Sequence, residues 1–232
     1  MNKNCLCIIP ARKGSKGLKN KNIRLLNGIP LIKYPYLIAK KVKFITDIAL
    51  TSDSKKYLNL INDKRISKIL RPAHLSTSNS RIIDVIKHTL LKVKKKYEYV
   101  LLLEPTSPFT SHKEIESAFN ILIKKKNNFD FVVSIFSLPK YHSNFAIKLK
   151  NNKIIHKSYP KNINRQNQKK EFFLSGNFYL GKTKKLLSNE GWISSKTYGF
   201  VIKKSLPTDI DDRLDLLFAN TILENELFKK IK

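Results

Sequence analysis

Acidic residues are scarce in this chain: 17 Asp and Glu stand against 46 Lys and Arg in 232 residues, a formal net charge of +29. Cysteine (two), methionine and tryptophan (one each) and glycine (seven) are scarce too. These shortages narrow the possibilities. Cys5 and Cys7 lie two apart in an apolar run, so as strand residues they share one face. They are then too far apart for a disulfide, and no further Cys completes a zinc set. His74, His88, His112, His142 and His156 show no ligand spacing, which argues against zinc chemistry. No nucleophile elbow is present. The longest apolar runs, near Cys5–Ala11 and Tyr99–Leu103, fall far short of the roughly 20 residues of a membrane span. No secretory leader is read before Cys5, so a cytoplasmic protein without a membrane partner is expected.

What is present suits a globular fold. Hydrophobic residues at 41% and aromatics at 10% exclude wholesale disorder. The length fits one domain, residues 1–232, with a sizeable core. The positive charge invites a nucleic-acid reading, that of a basic binding protein without turnover. Against it, no nucleic-acid motif with interleaved aromatics occurs. The excess is mostly Lys spread along the chain beside Asn and Ile, as in the residue drift of an AT-rich genome. The runs Lys92–Lys96 and Lys124–Lys126 fall at the ends of predicted helices, where cations complement the helix dipole. No nucleic-acid partner is expected, although an anionic substrate would benefit from the field.

Strand-like and helical patterns alternate. Strands are predicted at Cys5–Ile9, Ile45–Thr51, Lys68–Leu70, Tyr99–Leu103, Phe131–Ile135 and Tyr198–Ile202. Helices are predicted at Leu31–Lys41, Lys55–Asn62, Ile82–Val93, Lys113–Lys126 and Arg213–Lys229. Ser111 and Glu114 carry a capping-box signature for the fourth helix. This alternation argues an α/β fold with a largely parallel sheet, in which ligands bind past the carboxyl ends of strands. Between Phe136 and Leu180 the pattern breaks into short extended pieces and Asn-rich turns. There an inserted arm at 136–180 carrying a hairpin is expected, packing on a twin subunit.

The segment from Pro10 to Asn22 follows the first predicted strand and carries Arg12, Lys16 and Lys21 around Gly14 and Gly17. A strand emptying into such a loop suits several adjacent phosphates, bound by backbone N–H groups and cations. It is not a P-loop, because only two residues separate the glycines, and it lacks a Gly-x-Gly pair. The second constellation is Asp209-Ile210-Asp211-Asp212. In an extended segment Asp209 and Asp211 would point to one side, about 7 Å apart, a spacing that can grip one magnesium ion. The same acidic residues can also begin a helix, a role suited to Asp212 and Asp215. Glu104-Pro105-Thr106-Ser107-Pro108 ends the Tyr99 strand in a rigid turn with free hydroxyls, a candidate substrate wall. Arg71, after a short strand, could contact a phosphate or a base edge.

Taken in order, Pro-Ala-Arg-x-Gly-Ser-Lys-Gly-x-x-x-Lys-Asn (10–22), Ser-Asp (52–53), Arg-Pro-Ala-x-Leu (71–75), Pro-Thr-Ser-Pro (105–108), Arg-Gln (165–166), Gly-x-x-Tyr (176–179) and Asp-Ile-Asp (209–211) resemble the acylneuraminate cytidylyltransferases. The likeness runs nearly end to end. It implies a Rossmann-like nucleotidyltransferase fold with helices on both faces of the sheet, a homodimer with an exchanged arm, CTP and magnesium. It implies nucleotide contacts from Ala11, Arg12, Gly14, Ser15, Lys16, Lys21, Asn22, Arg71, Thr106 and Ser107. Acceptor contacts are implied for Glu104, Arg165, Gln166, Ser175, Gly176 and Tyr179, and metal ligation for Asp209 and Asp211. Arg12, Lys21 and Asp211 are the implied catalytic residues. The reaction implied joins CMP to the anomeric hydroxyl of a nine-carbon 2-keto sugar acid (sialic acid, or a legionaminic- or pseudaminic-type analogue) with release of pyrophosphate. The family usually has Gln where Glu104 stands, Arg where Thr110 stands and Asn where Ser175 stands, so the departures cluster toward the acceptor.

Overall fold

The computed structural model describes residues 4–137, 143, 146–155 and 169–225. Strand β1 (Cys5–Pro10) lies beside β4 (Asp47–Ser52) on one side and β6 (Tyr99–Leu102) on the other, parallel to both. Five of its six residues are buried, as an interior parallel strand requires. Beyond β4 comes β5 (Ile66–Leu70), also parallel. On the other flank β6 pairs with β10 (Phe173–Lys182), which runs antiparallel to it and to β7 (Phe131–Phe136). An edge strand, β11 (Thr197–Val201), pairs parallel with β7. The order is β11-β7-β10-β6-β1-β4-β5, with β10 alone reversed. Two short hairpins stand apart: β2 (Leu25–Leu26) with β3 (Ile29–Pro30), and β8 (Lys148–Lys150) with β9 (Lys153–Ile155).

The two faces of β1 carry two cores, as period-two alternation dictates. Cys5, Cys7 and Ile9 pack with residues of α1 (Lys33–Ala39), α2 (Lys55–Leu58) and α4 (His112–Lys124). Leu6 and Ile8 pack with α3 (Ile82–Val93) and Leu186 of α5 (Thr183–Asn189). Helices therefore cover both faces of a mostly parallel sheet. Both cysteines are buried thiols that form no disulfide.

Two expectations need correction, and one helix is additional. The segment expected as an arm, 136–180, contributes its last residues to the sheet: β10 is a central strand, with Phe178 and Leu180 fully buried. Its pattern is interrupted by Ser175-Gly176-Asn177, where the register with β7 shifts and Gly176 takes a φ of 73°. What remains of the expected arm includes the β8–β9 hairpin, turned by Asn151 and Asn152 in left-handed conformation. Secondly, Ser111 stands at the N-cap of α4 without a side-chain capping bond. Glu114 does not reach back to it. Its buried carboxylate accepts from the backbone N–H groups of Lys203 (2.6 Å), Lys204 (2.8 Å) and Ser205 (2.9 Å), and from Ser205 Oγ (2.5 Å). The additional helix is α5, whose seven residues span only two turns and are too few to show a helical period. The last helix, α6 (Arg213–Glu224), begins where expected.

Candidate active site

The carboxyl ends of β1, β5 and β6 open on one cleft of about 320 Å³. The loop after β1 is fixed there by its own backbone. The Ala11 N–H donates to the Thr51 carbonyl (2.9 Å), and the Lys13 N–H to Asp53 Oδ1 (2.8 Å). Asn22 is buried and donates from Nδ2 to the Arg12 carbonyl (2.9 Å), so the far end of the loop is tied to its beginning. A short 3-10 turn, Lys21–Ile23, follows Asn20, whose φ of 57° reverses the chain. The Lys21 ammonium is carried into the cleft by this turn.

Gly17 has a packing reason to be glycine: a Cβ there would lie 2.6 Å from the Asp211 carbonyl oxygen. The early loop and the late acidic segment are therefore in van der Waals contact. Gly14 has no such constraint, since a Cβ would meet open space. In the late segment exposure alternates through Asp209, Ile210 and Asp211, and Asp212 at the N-cap of α6 is extended. Ile210 is fully buried among Leu26, Leu31, Phe109, Ala219 and Ile222, and its N–H donates to the Thr106 carbonyl (2.9 Å). Asp209 and Asp211 flank it, and both line the cleft. The capping duty falls on their neighbours. Asp215 N–H donates to Asp212 Oδ1 (2.9 Å), while Asp215 Oδ2 accepts from the Asp211 and Asp212 N–H groups. That capping box starts α6 and leaves the other two carboxylates to the cleft.

Lys21 Nζ pairs with Asp211 Oδ1, joining the two motifs directly. Around this pair stand Arg12, Ser15, Asn22, Arg71, Glu104 and Thr106. Arg71 is 5% exposed, with Nε donating to Ser76 Oγ (2.9 Å). Burial lowers its pKa, opposed by Asp53 and reinforced by Arg12. Glu104 is pushed up to about 7, first by burial and then by Asp209 and Asp211, with Lys21 opposing. Burial also raises Asp209; its hydrogen bond with Thr106 opposes this, Asp211 adds to it and Lys21 acts against it. Tyr179 rises to about 12 through burial and its carboxylate neighbours Glu104 and Asp209.

Not every expected residue reaches the cleft. Lys16 and Gly14 lie exposed on the loop and do not line it, while Ala11 is buried behind it. Ser107, Ser175 and Gly176 form a second layer, with Ser107 Oγ 3.3 Å from where a Gly176 Cβ would stand. Tyr179 sits on β10 within the electrostatic reach of Glu104. Arg165 and Gln166 lie outside the described residues. Beside Leu75 of the 71–75 motif, sequence reasoning missed the wall formed by Thr77, Ser78, Ser80, Ile82 and Val85. It also missed Asn177, whose buried Nδ2 donates to Thr110 Oγ1 and the Leu206 carbonyl (both 3.0 Å). That side chain ties β10, the turn after β6 and the approach to Asp209 together. An amide in the middle of a buried strand was the available signal.

The raised Glu104 carboxyl has a consequence for stability. Its folded pKa lies above the ordinary 4.5, so between these values the folded chain holds a proton that the unfolded chain has lost. The associated stability is intact below about 4.5 and lost as pH rises through about 7. Glu104→Gln removes this loss, worth up to about 3 kcal/mol at alkaline pH. The variant's Tm should exceed the parent's by several degrees at pH 8 and by little at pH 5. Thermal unfolding at both pH values checks this, and an equal difference at the two would contradict it.

A mostly parallel, doubly covered sheet with a basic loop after its first strand and a carboxylate-bearing segment across the cleft has the layout of a nucleotidyltransferase fold. A solved structure of CMP:2-keto-3-deoxy-manno-octonic acid synthetase complexed with CTP superposes with a TM-score of 0.69 at 13% identity, covering 96% of this chain and 99% of that one. The chain belongs to the cytidylyltransferase family, whose model matches residues 6–201. It is 28% identical over 228 residues to the N-acylneuraminate cytidylyltransferase of Escherichia coli, covering 97% of this chain and 54% of that protein. It is 28% identical to the CMP-N,N'-diacetyllegionaminic acid synthase of Legionella pneumophila, covering 94% and 96%. The chain thus spans about half the length of the first of these relatives and nearly all of the second.

Proposed function

We propose that this protein transfers CMP from CTP to the anomeric hydroxyl of a nine-carbon 2-keto sugar acid, sialic acid or a legionaminic- or pseudaminic-type analogue, releasing pyrophosphate. The observation that carries the reading is the convergence of the basic loop and the Asp209–Asp211 pair on one cleft, joined by Lys21 and Asp211. The acceptor hydroxyl forms a new bond to the α-phosphorus as the bond to the bridging oxygen of pyrophosphate breaks in line. Positioning and charge neutralisation dominate such a transfer. Arg12 and Lys21 face the phosphates as cations. Ser15, Asn22 and Arg71 line the nucleotide side with Thr106; Lys16, at the loop's surface, supplies longer-range charge. Ala11, Gly14 and Ser107 shape the backbone behind these contacts. Glu104, Ser175, Gly176 and Tyr179 border the acceptor side, to which Arg165 and Gln166 are also assigned.

Asp209 and Asp211 offer a hard oxygen donor pair suited to magnesium. Burial first and repulsion from Asp211 second disfavour the Asp209 carboxylate, and a cation bound to the pair would offset both. Among the described residues no three His, Cys, Asp or Glu side chains group to hold an ion, so two carboxylates would leave its other positions to water and phosphate oxygens. Bound there, magnesium would supply charge neutralisation at the phosphates. A cytoplasmic location belongs to this reading, in which CTP is the donor. The homodimer reading is supported by the exposed Leu149, Ile154 and Ile155 of the small hairpin, and by Phe172, Phe173 and Leu174 at the start of β10.

Pyrophosphate release from CTP, measured against a panel of sugar acids, tests the reading. Release with a nine-carbon 2-keto acid is the expected result. Release with an eight-carbon acid alone would move the acceptor assignment, and salt-steep nucleic-acid binding with no turnover would replace the enzyme by a basic binding protein.

A further inference from the structure

Glu104 lies two residues beyond β6, and its backbone is held by the Leu103 N–H donating to the Ile8 carbonyl (3.1 Å) and by its own carbonyl accepting from Ser107 (3.2 Å). The side chain lines the cleft, and among the described residues nothing donates a hydrogen bond to its carboxyl. The residue is half-buried and its carboxyl is open to the cleft, so a ligand donor can reach an acceptor that no protein group engages. Its surroundings narrow which donor suits it. Asp209, Asp211 and the Tyr179 phenol share its field, and the cation acting on it is Lys21, already paired with Asp211. Glu104 does not complete a three-carboxylate metal site with the aspartates among the described residues. In the sheet order Glu104 follows β6, Arg12 follows the adjacent β1 and Arg71 follows the edge strand β5, so the charge of the cleft changes sign from its β6 end to its β5 end. An acceptor's own carboxylate is repelled from the Glu104 wall, which favours instead a group carrying positive charge.

We propose that Glu104 selects the acceptor, admitting a sugar acid that presents a cationic nitrogen, an amine or amidine, to this wall of the cleft. The assignment rests on the acceptor reading of the preceding subsection and narrows its substrate class. A charge-assisted hydrogen bond from such a nitrogen meets both the missing donor and the missing charge, which a neutral amide N–H meets only in part.

The test uses two nine-carbon 2-keto sugar acids that differ only in carrying a free amine or an N-acetyl group, with CTP saturating and pyrophosphate release as readout. The wild-type protein is expected to favour the amine by tenfold or more in kcat/KM. Glu104→Gln should bring the ratio to about one, whereas Glu104→Asp should keep a preference of threefold or more. A wild-type ratio near one or below, or a preference that survives in Glu104→Gln, overturns the assignment while leaving the cytidylyltransferase reading standing. No turnover of either acid by the wild-type protein overturns both.

Discussion

Asp211→Asn and Arg12→Ala should each lower CTP-dependent pyrophosphate release about a hundredfold or more while leaving the protein folded. The magnitude follows from losing one preorganised charge contact in a reacting site, about 3 kcal/mol. The two residues reach the cleft from opposite ends of the chain: Arg12 on the loop after β1, and Asp211 on the segment that enters α6. Asp211 is 71% exposed at its side chain, so its pairing with Lys21 contributes little to stability and the Tm should move by no more than a degree or two. The isosteric amide keeps the shape but gives up the charge that holds the Lys21 ammonium and suits a cation. Near-normal release by either variant would remove that residue from the catalytic assignment. A matching fall in Tm would instead mark it as structural.

Glu114→Ala should produce the largest loss of stability. The buried carboxylate accepts four hydrogen bonds from residues 203–205, and truncation strands the N–H and hydroxyl of the buried Ser205 while the N–H groups of the exposed Lys203 and Lys204 turn to water. Losing hydrogen bonds to a charged acceptor and leaving buried donors unmet costs about 3 kcal/mol. That corresponds to a fall in Tm of roughly 10 °C for a chain of this size. The effect should spread to the site, because the same segment continues through Leu206, held by Phe109 and Asn177, into Asp209. Differential scanning calorimetry and turnover on the same sample check both halves. A variant with an unchanged Tm would show that the 203–205 turn does not depend on the carboxylate.

The readable parts of the fold were those where local pattern and tertiary role agree. Residues of β1 alternate between two cores, and the helix expected at Ile82–Val93 appears with those bounds. Asp209 and Asp211 share one cleft because exposure alternates around a buried Ile210. Other parts depended on partners far away in sequence. Ser111 and Glu114 have capping-box spacing, yet three backbone donors about 90 residues onward outcompete the cap for the carboxylate. Strand β10 is hidden by a bulge at Ser175–Asn177, since a register shift breaks the alternation by which a strand is recognised. Gly17 was legible as a loop glycine, but its reason, the Asp211 carbonyl pressed against it, lies at the other end of the chain. The Thr77–Ser80 wall carries small hydroxyl residues that read equally as an ordinary loop, and only the cleft reveals their position.

A crystal structure with CTP and magnesium tests most directly whether the early loop and the late acidic pair serve one nucleotide. The expected result is a triphosphate lying between Arg12 and Lys21 on one side and the Asp209–Asp211 pair on the other, within a single cleft. Triphosphate density elsewhere on the protein, with these four side chains untouched, would contradict the account.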